Sequence, residues 1–223
     1  ATQATSRMAR QMPYVSLLLG AAAVAVYAQP LLPSALDYSR ETLAAGQWWR
    51  ILTCHWTHWS AGHLLWDVIM FVALGAVCER FSRVRMSIAV LAAAAIIPMV
   101  LYAYSPSMSG YGGLSGLDSA VFALAAVMIV RQSLAHGNRG RVVLTIACLA
   151  AFPAKIVFEW LTGTAFFVQD GSGMVPVPLA HVVGATIGIL IGSIYIRQSE
   201  NTPYAADQAM TAVDCTYCYQ LST

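Results

Sequence analysis

Residues 112–116 read Gly-Gly-Leu-Ser-Gly and lead directly into an apolar segment that ends near Val130. The glycines predict a tight turn, and Ser115 falls at the start of the helix that follows. A serine in that position is most often only the residue that caps a helix. A further role for Ser115 depends on which other side chains reach the same depth.

The composition predicts an all-α membrane protein. Hydrophobic residues make up 58% of the 223-residue chain and charged residues only 10%, whereas an ordinary soluble domain carries about 25% charged residues. Since about 20 apolar residues span a bilayer, the chain has room for roughly six spans in one membrane domain. The net charge of +2 indicates no partner, and no nucleic acid is expected.

Six apolar segments predict a polytopic bundle of six transmembrane helices. They cover residues 14–32, 61–77, 86–102, the glycine turn to 130, 142–161 and 176–196. We therefore expect a cytoplasmic N-terminal segment at 1–13, a membrane domain at 14–197 and a polar tail at 198–223. The first segment has no small-residue cleavage site behind it, so it is interpreted as a retained span and not as a signal peptide.

The basic residues orient the six segments. Nine of the twelve Lys and Arg residues fall on one side: Arg7, Arg10, Arg80, Arg83, Arg85, Arg131, Arg139, Arg141 and Arg197. The positive-inside rule then makes both termini cytoplasmic. We expect a multi-pass protein of a bacterial inner membrane, with the second, fourth and sixth segments entering from outside. The aromatic first outer loop, residues 33–60, is expected to lie partly in the lipid headgroup layer.

This topology brings three polar side chains to one depth. His63, Ser115 and His181 each lie near the outer end of a segment, within roughly 10 Å of the same level at about 1.5 Å per residue. Ionisable groups at membrane depth indicate function. Ser115 is predicted to be a nucleophile and His181 its general base. His63 and the N–H groups at the helix start would stabilise an oxyanion, with Gly113 and Gly116 allowing close backbone approach.

A stripe of small residues follows the second histidine. His181, Gly184 and Gly188 are spaced i, i+3 and i+7, which places them on one helical face. Small residues allow close helix packing in membranes. The sixth segment is therefore expected to approach the fourth closely enough for His181 to reach Ser115.

The order of these motifs resembles the rhomboid family of intramembrane serine proteases, over about residues 46–192. The matching residues are Trp49, Arg50, Leu52, Thr53, His58, His63, Leu74, Gly75, Glu79, residues 113–116, Ala180, His181, Gly184 and Gly188. The resemblance implies six helices around a water-filled cavity, with substrate entering laterally near the fifth span. It implies a Ser115–His181 dyad, an oxyanion role for His63 and no cofactor. The partners it implies are transmembrane substrates and the lipid bilayer.

Within the family, the short form of the chain looks most like the rhombosortase branch. The residues concerned are Tyr38, residues 47–50, residues 113–119 and residues 178–181. That branch is associated with processing C-terminal sorting tails on exported bacterial proteins. The chain is accordingly predicted to be a serine endopeptidase that cleaves transmembrane segments or such tails near the outer membrane face.

Two positions depart from the family pattern. Asp67 stands where the family usually has Asn as an oxyanion donor, and it would serve as a donor only if burial keeps it protonated. Ser119 replaces the aromatic residue on which the catalytic histidine usually stacks. Asp118, one turn after Ser115, is a candidate for orienting His181 in its place.

Simpler roles are assigned to the other polar residues. Trp49, Arg50 and Glu79 are interpreted as structural, and Lys155 and Glu159, spaced i, i+4, are expected to pair. His55, His58 and His63 fit no common metal-binding spacing, so no metal site is predicted. Cys215 and Cys218 form a CxxC in the polar tail, which is a weak metal signal. The chain contains no HExxH motif, and its serine motif is not GxSxG because residue 117 is leucine.

Two other functions remain open from the sequence. A catalytically inactive rhomboid-like protein would bind transmembrane clients; such relatives generally lack the Ser or the His, and both are present here. A small transporter would use Lys155 and Glu159 as a relay, but it would be expected to show repeated halves. No internal repeat is visible.

Overall fold

The computed structural model describes residues 12–164 and 176–194. All the extended secondary-structure elements in these residues are helices. The helices are α1 (Tyr14–Tyr27), α2 (Leu32–Leu36), α3 (Arg40–Ala44), α4 (Arg50–Thr53), α5 (Ala61–Tyr104), α6 (Ser115–Ala135), α7 (Arg139–Thr162) and α8 (Pro178–Ser193), with a 3-10 turn at Cys54–Trp56. Among the described residues the β-structure is limited to one bridge, between Tyr38 and Tyr111. The predicted all-α class is confirmed for this part of the chain. Arg7, Arg10, Arg197, Cys215 and Cys218 lie outside the described residues.

Three of these helices are long and apolar enough to cross a membrane: α5, α6 and α7. Two shorter apolar helices, α1 and α8, accompany them. Length and composition thus support an integral membrane protein. The helix bounds agree with the predicted segments to within a few residues, except around residues 78–85.

The long helix α5 folds back on itself at Ser82. That residue alone has non-helical backbone angles, with φ −166° and ψ 107°. Met86 nevertheless lies against Gly75, where an added Cβ would be 3.1 Å from the methionine Cε. Eleven residues of straight helix would separate the two positions by roughly 16 Å. The second and third predicted segments are therefore joined by one residue, and not by a loop around Arg80, Arg83 and Arg85 as the sequence suggested.

The helix α6 forms the centre of the packing, and α8 approaches it at three glycines. A Cβ added to Gly184 would collide with the carbonyl oxygen of Gly116, and one on Gly188 with that of Ala120. On Gly192 an added Cβ would lie 2.9 Å from the Cβ of Val127. At Gly184 and Gly188 the two backbones therefore touch with no side chain between them, which small residues permit in membrane helices.

Arg50 holds the first loop together from inside. Its guanidinium is buried and donates to Asp37 Oδ1 at 2.6 Å, to Gln47 Oε1 at 2.7 Å and to the Ser34 carbonyl at 3.1 Å. A planar group with five donors suits such a cluster of acceptors. The neighbouring Trp48 and Trp49 are 61% and 53% exposed. An amphipathic tryptophan belt of this kind is typical of a segment at the lipid headgroup level.

His55 of the 3-10 turn is a neutral structural residue. Its ring is fully buried, and its Nε2 lies 3.0 Å from the carbonyl oxygen of Ala94, so Nε2 is the donor. Burial lowers the pKa of His55 to about 4. His55 therefore stays uncharged at neutral pH and ties the first loop to the second half of α5.

Glu79 anchors the start of α1 against α5. Its carboxylate accepts from the backbone N–H of Ser16 at 2.8 Å, from the Ser16 hydroxyl at 2.5 Å and from the N–H of Val15 at 3.3 Å. The first N–H groups of a helix lack intrahelical partners and favour a negative charge. Glu79 thus supplies a cap from another helix, and its role is structural.

Glu79→Gln is expected to lower the free energy of unfolding by about 1–3 kcal/mol, because the amide NH₂ offers a donor to groups that are already donors. Glu41→Gln is the matched control, since Glu41 is exposed. Thermal unfolding of the two variants and the wild type in the same detergent measures the difference. Equal midpoints for both variants would contradict the capping role.

Candidate active site

Ser115 is the first residue of α6, and the turn before it has no room for a side chain at Gly113. Gly113 has a φ of 108°, and a Cβ there would lie 2.7 Å from His63 Nε2. L residues rarely adopt such a φ. The turn therefore presses its backbone against the His63 ring and delivers Ser115, half-buried, to the wall of a cavity.

The cavity has a volume of about 1180 Å³ and is enclosed by α5, α6, α7, α8 and the loop before α6. Its polar wall contains Ser115, His181, His63, Asp67, Asp118 and Glu159. A concave apolar site with a few converging polar groups is the usual form of a ligand or active site. Every residue assigned a catalytic or oxyanion role from the sequence lies in or beside this cavity.

His181 belongs to the first turn of α8, and its Nδ1 nitrogen is held by Ser119. The Ser119 hydroxyl lies 3.0 Å from Nδ1 and donates its single hydrogen to the Ser115 carbonyl at 2.9 Å. Ser119 must therefore accept from Nδ1–H. This hydrogen bond fixes the tautomer of His181 and leaves the lone pair on Nε2, as a general base requires.

The Ser115 hydroxyl and His181 are neighbours, but no side-chain hydrogen bond joins them within residues 12–164 and 176–194. The imidazole lies beside the backbone of Ser115, and its side chain is 7% exposed. Catalytic hydrogen bonds are often long without substrate and tighten in the complex.

Glu159 and Lys155 of α7 also line the cavity. Their predicted pairing is confirmed, with Lys155 Nζ 2.9 Å from Glu159 Oε2. The same carboxylate oxygen lies 3.7 Å from His181 Nε2. Because Lys155 balances the charge of Glu159, the carboxylate adds little net field at the imidazole.

Asp118 was proposed to orient His181, and the structure shows no hydrogen bond between their side chains among the described residues. Asp118 Oδ1 is buried without a hydrogen-bond partner among the described residues, and the Nδ1 nitrogen of His181 is occupied by Ser119. The contact with His181 that was predicted for Asp118 is made at Nδ1 by the next residue, Ser119. The sequence contained a clue to this contact, because the i, i+4 spacing of Ser115 and Ser119 places both on one helical face.

Asp67 acts as an acceptor at the base of the serine turn. Its Oδ2 accepts from the Leu114 N–H at 2.8 Å and lies 3.2 Å from the Nε2 atoms of both His58 and His63. From the sequence, His58 was one of the residues that carry the family resemblance, and no metal site was predicted for it. Asp67 thus ties the residue before Ser115 to α5 by accepting a hydrogen bond.

A serine–histidine pair sunk between apolar helices is the arrangement expected of an intramembrane serine protease. Residues 45–198 match the family model of the Rhomboid domain, which is well over half of the chain. The chain therefore belongs to the rhomboid family, whose members are serine proteases that act on transmembrane substrates within the bilayer, and the resemblance seen in the sequence is confirmed. No curated protein matches the chain by sequence.

Proposed function

We propose that the chain is an intramembrane serine endopeptidase with a Ser115–His181 dyad. The proposal rests on the hydrogen bond between the Ser119 hydroxyl and His181 Nδ1. Because Nδ1 carries the hydrogen of that bond, Nε2 keeps its lone pair, and His181 lines the same cavity as Ser115. The chemistry of this histidine is that of a general base.

The proposed reaction is acyl transfer in two halves. Ser115 Oγ attacks the scissile carbonyl while His181 Nε2 takes its proton, and the imidazolium then protonates the departing amine. Backbone N–H groups at the start of α6 and the His63 side chain would stabilise the oxyanion. Water, activated by His181, hydrolyses the acyl-enzyme.

The six-span topology is part of the proposal. The reversal at Ser82 divides α5 into two apolar halves, which join α1, α6, α7 and α8 as spans. Arg83 donates to the Met12 carbonyl, so the bend of α5 and the start of α1 lie together. Arg131 donates to the Gly192 carbonyl, so the ends of α6 and α8 lie together. Ser115 starts α6 sixteen residues before Arg131, roughly 24 Å away. With the arginines cytoplasmic, both termini are inside and the dyad faces outward.

The substrate class follows from the walls of the cavity. Trp66 and Met70 of α5 and Phe152 of α7 form an apolar side of the cavity. Within the described helix α7, Glu159 is the one buried residue. A helix so loosely packed can yield to a transmembrane segment that enters between α5 and α7. We propose that the substrate is such a segment, or a C-terminal sorting tail as in the rhombosortase branch, cleaved near the outer face.

The test is cleavage of a membrane-tethered reporter by the full chain in liposomes. A transmembrane reporter with small residues near its outer end is expected to be cut within that outer third, since a helix must unwind before cleavage. Mass spectrometry of both fragments locates the cut. Failure to cut a panel of such reporters and sorting tails would favour the inactive, client-binding alternative.

Ser119→Ala is expected to lower kcat by about tenfold or more, because His181 then loses the contact that selects its tautomer. The pH profile of kcat should shift as well, since Nδ1–H no longer has a partner in the folded protein. Measurement of kcat and KM over pH 5.5–8.5 checks both effects.

Ser133→Ala is the matched control for that variant. Ser133 is also a buried serine of α6, and its hydroxyl has no hydrogen-bond partner among the described residues. It should leave kcat and the pH profile near those of the wild type. If Ser119→Ala behaved as Ser133→Ala does, Ser119 would have no positioning role.

A further inference from the structure

Three metal-ligating side chains converge beside the proposed dyad. They are His58, His63 and Asp67, called the His-His-Asp cluster below, and one ligand atom from each lies within 4.8 Å of the others. Both Nε2 atoms are 3.2 Å from Asp67 Oδ2. The sequence spacing hid this arrangement, because His58 comes from the loop while His63 and Asp67 share one face of α5 at i, i+4.

The hydrogen bonds around His58 direct its lone pair into the cluster. Its Nδ1 lies 3.3 Å from the Trp56 carbonyl oxygen, which can only accept, so Nδ1 carries the hydrogen. The neutral ring then points the Nε2 lone pair at a carboxylate oxygen. His58 Nε2 and Asp67 Oδ2 are then two acceptors 3.2 Å apart, which repel each other unless a cation lies between them. Either a proton or a metal ion can be that cation.

The other two ligands are equally available. His63 Nδ1 is buried and has no hydrogen-bond partner among the described residues, so the polar contact of the ring is the one from Nε2 to Asp67 Oδ2 at 3.2 Å. A bound ion would take the place of the Nε2 proton. Asp67 Oδ2 is held by the Leu114 N–H at 2.8 Å. Supporting hydrogen bonds of this kind orient first-shell ligands in metal sites.

The ligand set suits Zn²⁺. Two imidazoles and one carboxylate with a fourth position open is a common zinc arrangement, and bonds of about 2.0–2.2 Å at tetrahedral angles place ligand atoms roughly 3.3 Å apart. The observed separations of 3.2 Å from Asp67 Oδ2 match that spacing. Mg²⁺ and Ca²⁺ prefer all-oxygen sites. His63 and Asp67 line the cavity, which gives the ion a path from the outer face.

We propose that the His-His-Asp cluster is a Zn²⁺ site that inhibits the enzyme. A zinc ion on His63 Nε2 removes the N–H that would otherwise face the oxyanion, and it places a bulky charge next to Gly113 and Ser115. The inhibitory consequence rests on the proposed protease function, whereas the binding does not. Zinc is here a regulator and not a cofactor of the reaction.

The experiment measures binding and inhibition separately. Binding is followed by competition of ZnCl₂ against a fluorescent zinc chelator, using the full chain in detergent with Ser115→Ala, so that catalysis plays no part. Cys215→Ser and Cys218→Ser are present throughout, because the tail CxxC would also bind zinc. Inhibition is followed with the reporter assay on the same cysteine background with Ser115 intact, with and without EDTA.

One zinc per chain is expected, with reversible inhibition at micromolar zinc. His58→Gln and the isosteric Asp67→Asn should each weaken binding by more than the 10–100-fold that loss of an outer-shell partner typically costs. His136→Ala, which removes an exposed histidine, should leave zinc affinity unchanged. Two different ligand variants guard against misfolding of either one, and thermal unfolding checks both.

Absence of stoichiometric zinc binding, or affinity unchanged in both ligand variants, would overturn the site. Binding at the cluster with reporter cleavage unaffected would overturn the inhibitory role. If no reporter is ever cleaved, the protease proposal fails, and the chelator titration on the Ser115→Ala chain still decides the zinc site.

Discussion

Ser115→Ala is expected to reduce reporter cleavage by about 10³–10⁶-fold, because removal of the nucleophile leaves only oxyanion stabilisation and binding. The substitution removes one half-buried hydroxyl at the start of α6. It should therefore leave the thermal midpoint within about 1 °C, since no hydrogen bond in the described structure depends on the Ser115 side chain. Initial rates in liposomes at saturating substrate measure the loss.

Ser107→Ala is the control for that experiment. Ser107 also lines the cavity but lies exposed in the loop before α6. Its loss should leave the cleavage rate within about twofold of the wild type. Residual cleavage by Ser115→Ala within tenfold of the wild type would rule out Ser115 as the nucleophile.

Gly184→Ala is expected to have the second largest effect, although it adds a single methyl group. The new Cβ would collide with the carbonyl oxygen of Gly116, and a backbone atom cannot rotate aside as a side chain can. Overpacking typically costs 1–3 kcal/mol or more. A shift of α8 by about 1 Å would also move His181, and misplacement of that size costs roughly 10²-fold in rate.

Gly140→Ala is the matched glycine control. An added Cβ at Gly140 meets only Asn138 Oδ1, at 3.9 Å, and the position lies in the first turn of α7. Thermal midpoint and kcat are measured for both variants. The close approach of α8 to α6 would be irrelevant to the site if Gly184→Ala kept a wild-type midpoint and wild-type kcat.

The sequence was sufficient to predict the features that follow from chain direction and helical periodicity. Ser115 and His181 were expected at one depth because their segments enter from the same side, and both line the cavity. The face that carries Gly184 and Gly188 follows from the 3.6-residue period. These inferences need only the rise and repeat of a helix.

The remaining features depend on where side chains point between helices. From the sequence, Ser119 was noted only because it replaces the aromatic residue of the family pattern. In the structure its hydroxyl is hydrogen-bonded to His181 Nδ1. Asp67 was considered as an oxyanion donor on condition that it is protonated, and its acceptor contact with the Leu114 N–H was not foreseen. The turn at Ser82 was hidden because one residue makes the reversal, and the flanking arginines remain helical.

Covalent labelling tests the central claim, that Ser115 is an activated nucleophile, most directly. The intact, detergent-solubilised chain is treated with a fluorophosphonate probe, and the modified residue is identified by peptide mass spectrometry. We expect one modification, on Ser115, that disappears in Ser115→Ala and forms markedly more slowly in His181→Gln. Labelling of a different serine, or no labelling of a folded chain, would contradict it.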